Sequence, residues 1–187
     1  MAYIGLAEPI IARYQKDGTY AGGVKMGKAV KVEISPEYED ISEYADINDT
    51  EEEKEFAYAD ISLGTDSLPE EAEMLIFEHE KENGEVIYRD TDRSRYVGVG
   101  FRVREKISGS NRYIAIWLHK VKFQEEGNSH KTKGDSIEYA TPEIKGKVYP
   151  DENGRWRTKK TCATVEEADL WLRKKANINQ EGKTWHL

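Results

Sequence analysis

The first stretch with the residue types for chemistry runs from His130 to Ser136, His-Lys-Thr-Lys-Gly-Asp-Ser, between the strand-like runs WLHKVKF and SIEYATP. Two lysines, hydroxyls and a glycine are what a phosphate cradle uses. A P-loop, however, needs G-x-x-x-x-G-K-[ST] opening a helix, and here Gly127 is followed by Asn-Ser-His-Lys-Thr and the loop leads into a strand. Val97–Phe101, VGVGF, lacks the third glycine and the following helix of a dinucleotide fingerprint. It also lacks the aromatics that would stack bases in an RNA-recognition strand. His79, His119, His130 and His186 are scattered, and His79 has no second histidine at H-E-x-x-H spacing. Cys162 stands alone and reads as a small hydrophobe at a strand end. Carboxylates are plentiful, yet nothing singles out a pair for acid–base work. The reading assigns no catalytic residue, no metal ligand and no cofactor.

The elements that would position these residues belong to a polar chain. Of 187 residues, 37% are apolar and 34% charged, with a net charge of -8. That length fits one domain with a real core. A single cysteine excludes an internal disulfide, no apolar run approaches the roughly 18 residues of a membrane span, and the N-terminus does not read as a signal peptide. Charge is unevenly spread. Residues 1–90 hold 23 acidic and 8 basic residues, net -15, whereas residues 91–187 hold 13 and 20, net +7. Such asymmetry either disappears when the halves mix in space or marks copies that meet head to tail, acidic patch on basic patch.

Period-two patterns dominate. Val97, Val99, Phe101 and Val103 share one face of a strand, opposite Gly98, Gly100, Arg102 and Arg104. The two glycines are expected to admit another backbone, and the two arginines to pair with carboxylates. ISGSN (107–111) reads as a hairpin into a strand apolar on both faces up to Leu118, then apolar only on the Trp117, Val121, Phe123 face. A third strand over 136–149 is interrupted by Pro142, and DENG (151–154) turns into RWRTKKTC. Near the N-terminus, IIARYQ, a KDG turn and YAGGVKMGKAVKVEIS give a hairpin and its continuation. EFAYADISL adds a strand with Ala57, Ala59, Ile61 and Leu63 on one face.

Two helices carry capping spacings, Ser67 with Glu70 and Thr164 with Glu167. The first presents a stripe of Leu68, Ala72, Leu75, Ile76 and His79, the second Val165, Ala168, Leu172 and Ala176. The acidic stretch 43–55 is too polar for a core and reads as an exposed loop. The fold class is therefore α+β, mainly antiparallel β, with one or two packed helices.

Taken in order, YVGVGFRVR, YIAIWLHKVKF and KTKGDSIEYATPEIKG resemble the major tail protein (tail tube protein) family of long non-contractile tailed bacteriophages and prophages. GLAEPIIARY, EYADI, LGTDSLPEEA and EEADLWLRKKANI fit the same pattern, from about Ile4 to Ile178. The resemblance implies a single domain over 1–178 with a β-sandwich or barrel-like tail tube fold, and a C-terminal tail over 179–187. It implies structural work rather than catalysis. By that resemblance, copies would form rings, hexameric in the family, that stack into a tube in the virion tail after assembly in the host cytoplasm. Its partners would be itself, a tape measure protein in the lumen, tail terminator and tail tip proteins, and DNA in non-specific passage, with no membrane and no cofactor.

Under that resemblance, strands such as 96–104 would line a lumen whose negative charge lets DNA slide. Candidate contacts between subunits or rings are Asp49, Glu51, Glu52 and Glu53 in the acidic loop, Lys131 and Lys133 in the opening loop, and Arg155, Arg157, Lys159 and Lys160 in the basic stretch. The alternative at these positions is two solvated surface segments. Alternative functions are another phage or secretion-system ring protein, such as a tail terminator or secreted tube module, an enzyme built on convergent carboxylates or histidines, and a nucleic-acid binder.

Overall fold

A computed structural model describes residues 2–40, 54–107, 110–125 and 143–178. In chain order these give β1 (Ala2–Tyr14), β2 (Tyr20–Lys25), β3 (Ala29–Asp40), β4 (Lys54–Thr65), α1 (Glu70–Phe77), β5 (Glu80–Glu82), β6 (Glu85–Ile87), β7 (Tyr96–Ile107), β8 (Ser110–Gln124), β9 (Glu143–Tyr149), β10 (Arg157–Cys162) and α2 (Val165–Lys175). The fold is mainly antiparallel sheet with two helices, as the patterning predicts. The main sheet has the order β2-β1-β7-β8-β9-β4-β3, with β10 joined to β8. The first half of β8 pairs with β10 and its last residues pair with β9, so one long strand serves two neighbours. The acidic loop's central residues, the opening loop, Pro142 and the tail lie outside the described residues.

The strands at the two ends of that order, β2 and β3, are consecutive in the chain, joined only by residues 26–28. The sheet must therefore curl until its edges approach. Met26 N–H donates to the Pro9 carbonyl at 2.8 Å, and Asp66 N–H donates to the Lys28 carbonyl at 2.9 Å, tying both sides of the connection. The result is barrel-like but not closed. Inside the curl, Ala72, Ile76 and Phe77 of α1 pack on Ile61, Leu63, Val97, Val99, Leu118, Val121 and Phe123. On the opposite face, Ala168, Leu172 and Ala176 of α2 cover Ile10, Ala12, Ala115 and Trp117.

Several local expectations are corrected. Ser67 does not cap α1. The helix starts only at Glu70, with Pro69 as N-cap and no side-chain cap bond, because a residue preceding proline, here Leu68, is barred from helical dihedrals. Thr164 does cap α2, its Oγ1 accepting from Glu167 N–H at 3.2 Å, while Glu167 Oε2 accepts from Ala163 N–H at 3.1 Å. Trp117 does not share a face with Val121 and Phe123. Val97 pairs with Val121 but Val99 with Leu118, so β8 carries one extra residue there and its facing reverses.

The neighbours of Gly98 and Gly100 are rings, not backbone. A Cβ on Gly98 would lie 2.4 Å from the Tyr20 ring and 2.5 Å from the Trp117 ring, and one on Gly100 would lie 2.6 Å from Trp117. That face of β7 is closed by these rings and Leu172 of α2, and Arg102 Nε binds Asp169 Oδ1 at 2.6 Å. The 96–104 strand therefore cannot line an open channel with its second face. Gly98→Ala should lower stability by about 1–3 kcal/mol, since both rings are buried and overpacking forces them off their rotamers. Urea unfolding measures this, and an unchanged midpoint would show that the rings have room to give.

Candidate functional site

Of the ten candidate contact residues, Asp49, Glu51, Glu52, Glu53, Lys131 and Lys133 lie outside the described residues. The other four split. Arg155 donates from its backbone N–H and its Nε to Asp151 at 2.8 and 2.9 Å, so it locks the 151–154 turn. Lys160 pairs with Glu167 at 3.0 Å and ties β10 to α2. Arg157 and Lys159 alternate on the exposed face of β10 and remain open to a partner. Between Arg155 and Arg157 in sequence, Trp156 stacks on Phe56 with centroids 4.6 Å apart and an 8° tilt, and Arg157 covers the Trp156 ring at 4.3 Å. Phe56 directly follows the acidic stretch. The basic stretch and the end of the acidic one thus touch within one chain.

Beneath that turn lies a buried polar network that the sequence did not announce, because its members come from four separate segments. Tyr20 Oη donates to the His119 carbonyl at 2.9 Å and stands 3.1 Å from His119 Nδ1. With the phenol proton spent on the carbonyl, Nδ1 must carry the imidazole proton, and Nε2 accepts from Thr158 Oγ1 at 2.7 Å. Asp151 Oδ2 lies 3.6 Å from Nδ1. Burial pushes the His119 pKa down to about 4, and nearby Arg155 and Lys175 add to the fall, while Asp151 opposes it. Burial likewise pushes Tyr20 up to about 12. These groups are committed to one another, while the indole Nε1 of Trp117, whose ring packs edge-on against Tyr20, is buried without a hydrogen-bond partner.

A second histidine is less complete. His79 Nδ1 lies 2.7 Å from Asp92 Oδ2, which also accepts the Arg89 N–H at 2.9 Å. These two bonds hold the Asp92 carboxyl below its ordinary value. His79 Nε2 is buried without a hydrogen-bond partner, 3.9 Å from Glu125 Oε1. Asp92 and Glu125 border a cavity of about 470 Å³ that also presents Ser94, Lys122 and Lys147. Ser94 Oγ is committed to the Phe123 carbonyl, so the histidine–aspartate pair has no nucleophile in hand. Among the described residues, no group of three or more His, Cys, Asp or Glu side chains could hold a metal ion. None of the described helices is long and apolar enough to cross a membrane. Cys162 is buried under α2, and burial raises its thiol pKa.

The broadest unexplained feature is the face of β8, β9, β4 and β3 that neither helix covers. Across it, Lys122 stands opposite Lys147, Lys147 opposite Asp60, and Asp60 opposite Ser35. In the parallel row Lys145 stands opposite Ser62, and Ser62 opposite Glu33. Like charges directly across a ladder repel. Aromatic rings offset this here, with Lys147 Nζ 3.5 Å from the Tyr58 ring centroid and Lys120 and Lys122 5.1 and 5.5 Å from that of Tyr96. The face is basic and aromatic on one side and acidic on the other.

No protein-family model matches the chain, and a search of curated proteins finds no match.

The His119 network predicts acid lability. Its folded pKa lies below the ordinary 6.5, so the unfolded chain takes up a proton that the folded chain refuses. The network's contribution is whole above pH 6.5 and is lost as pH falls toward 4, by roughly 3 kcal/mol in all. His119→Gln should flatten the slope of unfolding free energy against pH in that window, measured by denaturant titration at each pH. An unchanged slope would mean that the imidazole is protonated in place without penalty.

Proposed function

We propose that this chain is a structural, self-assembling protein whose copies form rings, hexameric by family resemblance, stacked into a phage tail tube that conducts DNA. In that reading it contacts itself, a tape measure protein in the lumen, and terminator and tip proteins at the tube ends. It resides in the virion tail after assembly in the host cytoplasm, and it works without a catalytic centre.

The observation that carries the reading is the form of the sheet. Among the described residues it curls but stops short of closure, leaving β2 and β3 as lateral edges, and one polar face lies outside the clusters that the two helices cover. An unpaired strand edge is an assembly template unless something protects it. Pairing edges between copies would complete a larger closed barrel, and the polar face would supply its wetted wall. On this reading the wall is not uniformly negative. Lys120, Lys122 and Lys147 share it with Glu33, Glu37 and Asp60, so DNA would meet patches of both signs rather than a repelling sleeve.

Electron microscopy of the purified protein across a concentration and salt series, with sedimentation, tests the reading. Rings or tubes of uniform diameter are expected, and rings that never stack would favour a terminator-like or secreted ring protein instead. Protein that stays monomeric and is absent from the tails of intact particles would overturn it. Val30, 59% exposed on the β3 edge, gives a sharper test. Val30→Asp should leave monomer stability within about 0.5 kcal/mol, as surface changes do, yet abolish ring formation. Undiminished rings would exclude β3 as the joining edge.

A further inference from the structure

The C-terminal half of α2 and the turn between β1 and β2 border an open cleft of about 680 Å³, lined by Thr19, Tyr20, Trp171, Lys174, Lys175 and Asn177 among others. Its size falls within the range of small-molecule sites. Basic residues at a helix C-terminus answer the helix dipole, so Arg173, Lys174 and Lys175 alone would imply no ligand. The placement of Lys175 goes further than the dipole requires. Its ammonium is drawn in over the Trp171 ring, 5.5 Å from the centroid, and is half-buried. Burial lowers its pKa and neighbouring Arg155 lowers it again, while Asp151 opposes them.

Among the described residues, no local carboxylate is in direct contact with the Lys175 ammonium. Asp151 is already occupied by the N–H groups of Asn153 and Arg155 and by the Arg155 guanidinium. Asp17, in the turn, accepts from both the backbone and the hydroxyl of Thr19. Among the described residues no carboxylate forms an ion pair with Lys174 or Lys175. The cleft therefore holds two ammonium groups without an ion-pair partner in contact, beside an indole ring and a rim of hydroxyl and amide groups.

We propose that this cleft binds a small organic anion of the nucleoside-monophosphate class, its phosphate on Lys174 and Lys175 and its planar ring against Trp171. Thr19 and Asn177 are the polar groups that line the same space for sugar hydroxyls. A bound phosphate supplies the direct ion-pair partner that Lys175 lacks, and a ring on the indole takes the place the ammonium now holds. The inference rests on the cleft alone and stands or falls independently of the tube reading.

Isothermal titration of the full chain with AMP, adenosine and inorganic phosphate tests it. AMP should bind with a dissociation constant on the order of 100 µM, and adenosine and phosphate each about tenfold or more weaker, because each engages half of the site. Raising salt should weaken AMP binding, as for any partly exposed ion pair. Lys174→Gln removes an exposed charge without touching the core, and should weaken AMP about tenfold with an unchanged melting temperature. Lys174→Gln with Lys175→Gln should abolish binding. No heat at millimolar AMP, or equal affinity in the Lys174→Gln protein, would overturn the proposal. Phosphate binding as tightly as AMP would overturn the assignment of the ring to Trp171.

Discussion

Three residues, Met26 to Lys28, join the two strands at opposite ends of the sheet, and that short link governs the architecture. A flat sheet of this order would hold β2 and β3 several strand spacings apart, at nearly 5 Å each, beyond the reach of so short a connection. Curling is therefore imposed by connectivity. It creates a concave interior that must be filled. Helix α1 supplies the filling, with Met26 itself buried among the same side chains. The outer face then needs cover only where apolar residues emerge, and α2 lies over that region. The rest of the outer face stays polar because nothing apolar is aimed at it.

Strand β8 shows where sequence pattern suffices and where it fails. The unbroken apolar run from Tyr113 to Leu118 marks a strand buried on both faces, and the structure agrees, with Ile114 and Leu118 on one side and Ala115 and Trp117 on the other. Beyond Leu118 the reading slips by one. A bulge adds a residue without any signature in composition, and a single extra residue reverses every facing that follows. The α1 start failed for a different reason. Capping spacing is a statement about four residues, but Pro69 forbids helical dihedrals to the residue before it, and that local veto is stronger than a side-chain hydrogen bond. The Thr164–Glu167 spacing has no proline within it and caps as written.

The polar groups were less legible still. His119 sits in an apolar strand, and its partners Tyr20, Thr158 and Asp151 are separated from it by 30 residues or more in sequence, so only the fold brings them together. The basic stretch from Arg155 to Lys160 looked like one surface feature. Strand alternation and a turn divide its labour: Arg155 and Lys160 hold the chain to itself, while Arg157 and Lys159 face outward. A run of like charges in sequence says little about which members are free, because each residue's direction is set by the ladder it joins.

The same logic bears on the charge asymmetry between the two halves of the chain. Mixing in space might have erased it. Instead, the acidic strands β3 and β4 and the basic strands β8 and β9 lie side by side, so the asymmetry survives as a gradient across one face. The Lys122–Lys147 contact is unfavourable as a pair, and the rings of Tyr58 and Tyr96 and the Asp60 carboxylate opposite Lys147 offset it. An acidic surface brought against the basic side of this face would add attraction and penalise the wrong orientation. A gradient running across a face, rather than a self-complementary patch, favours contacts that repeat in one direction. Contacts of that kind close into rings or continue as filaments, and do not stop at a two-fold dimer.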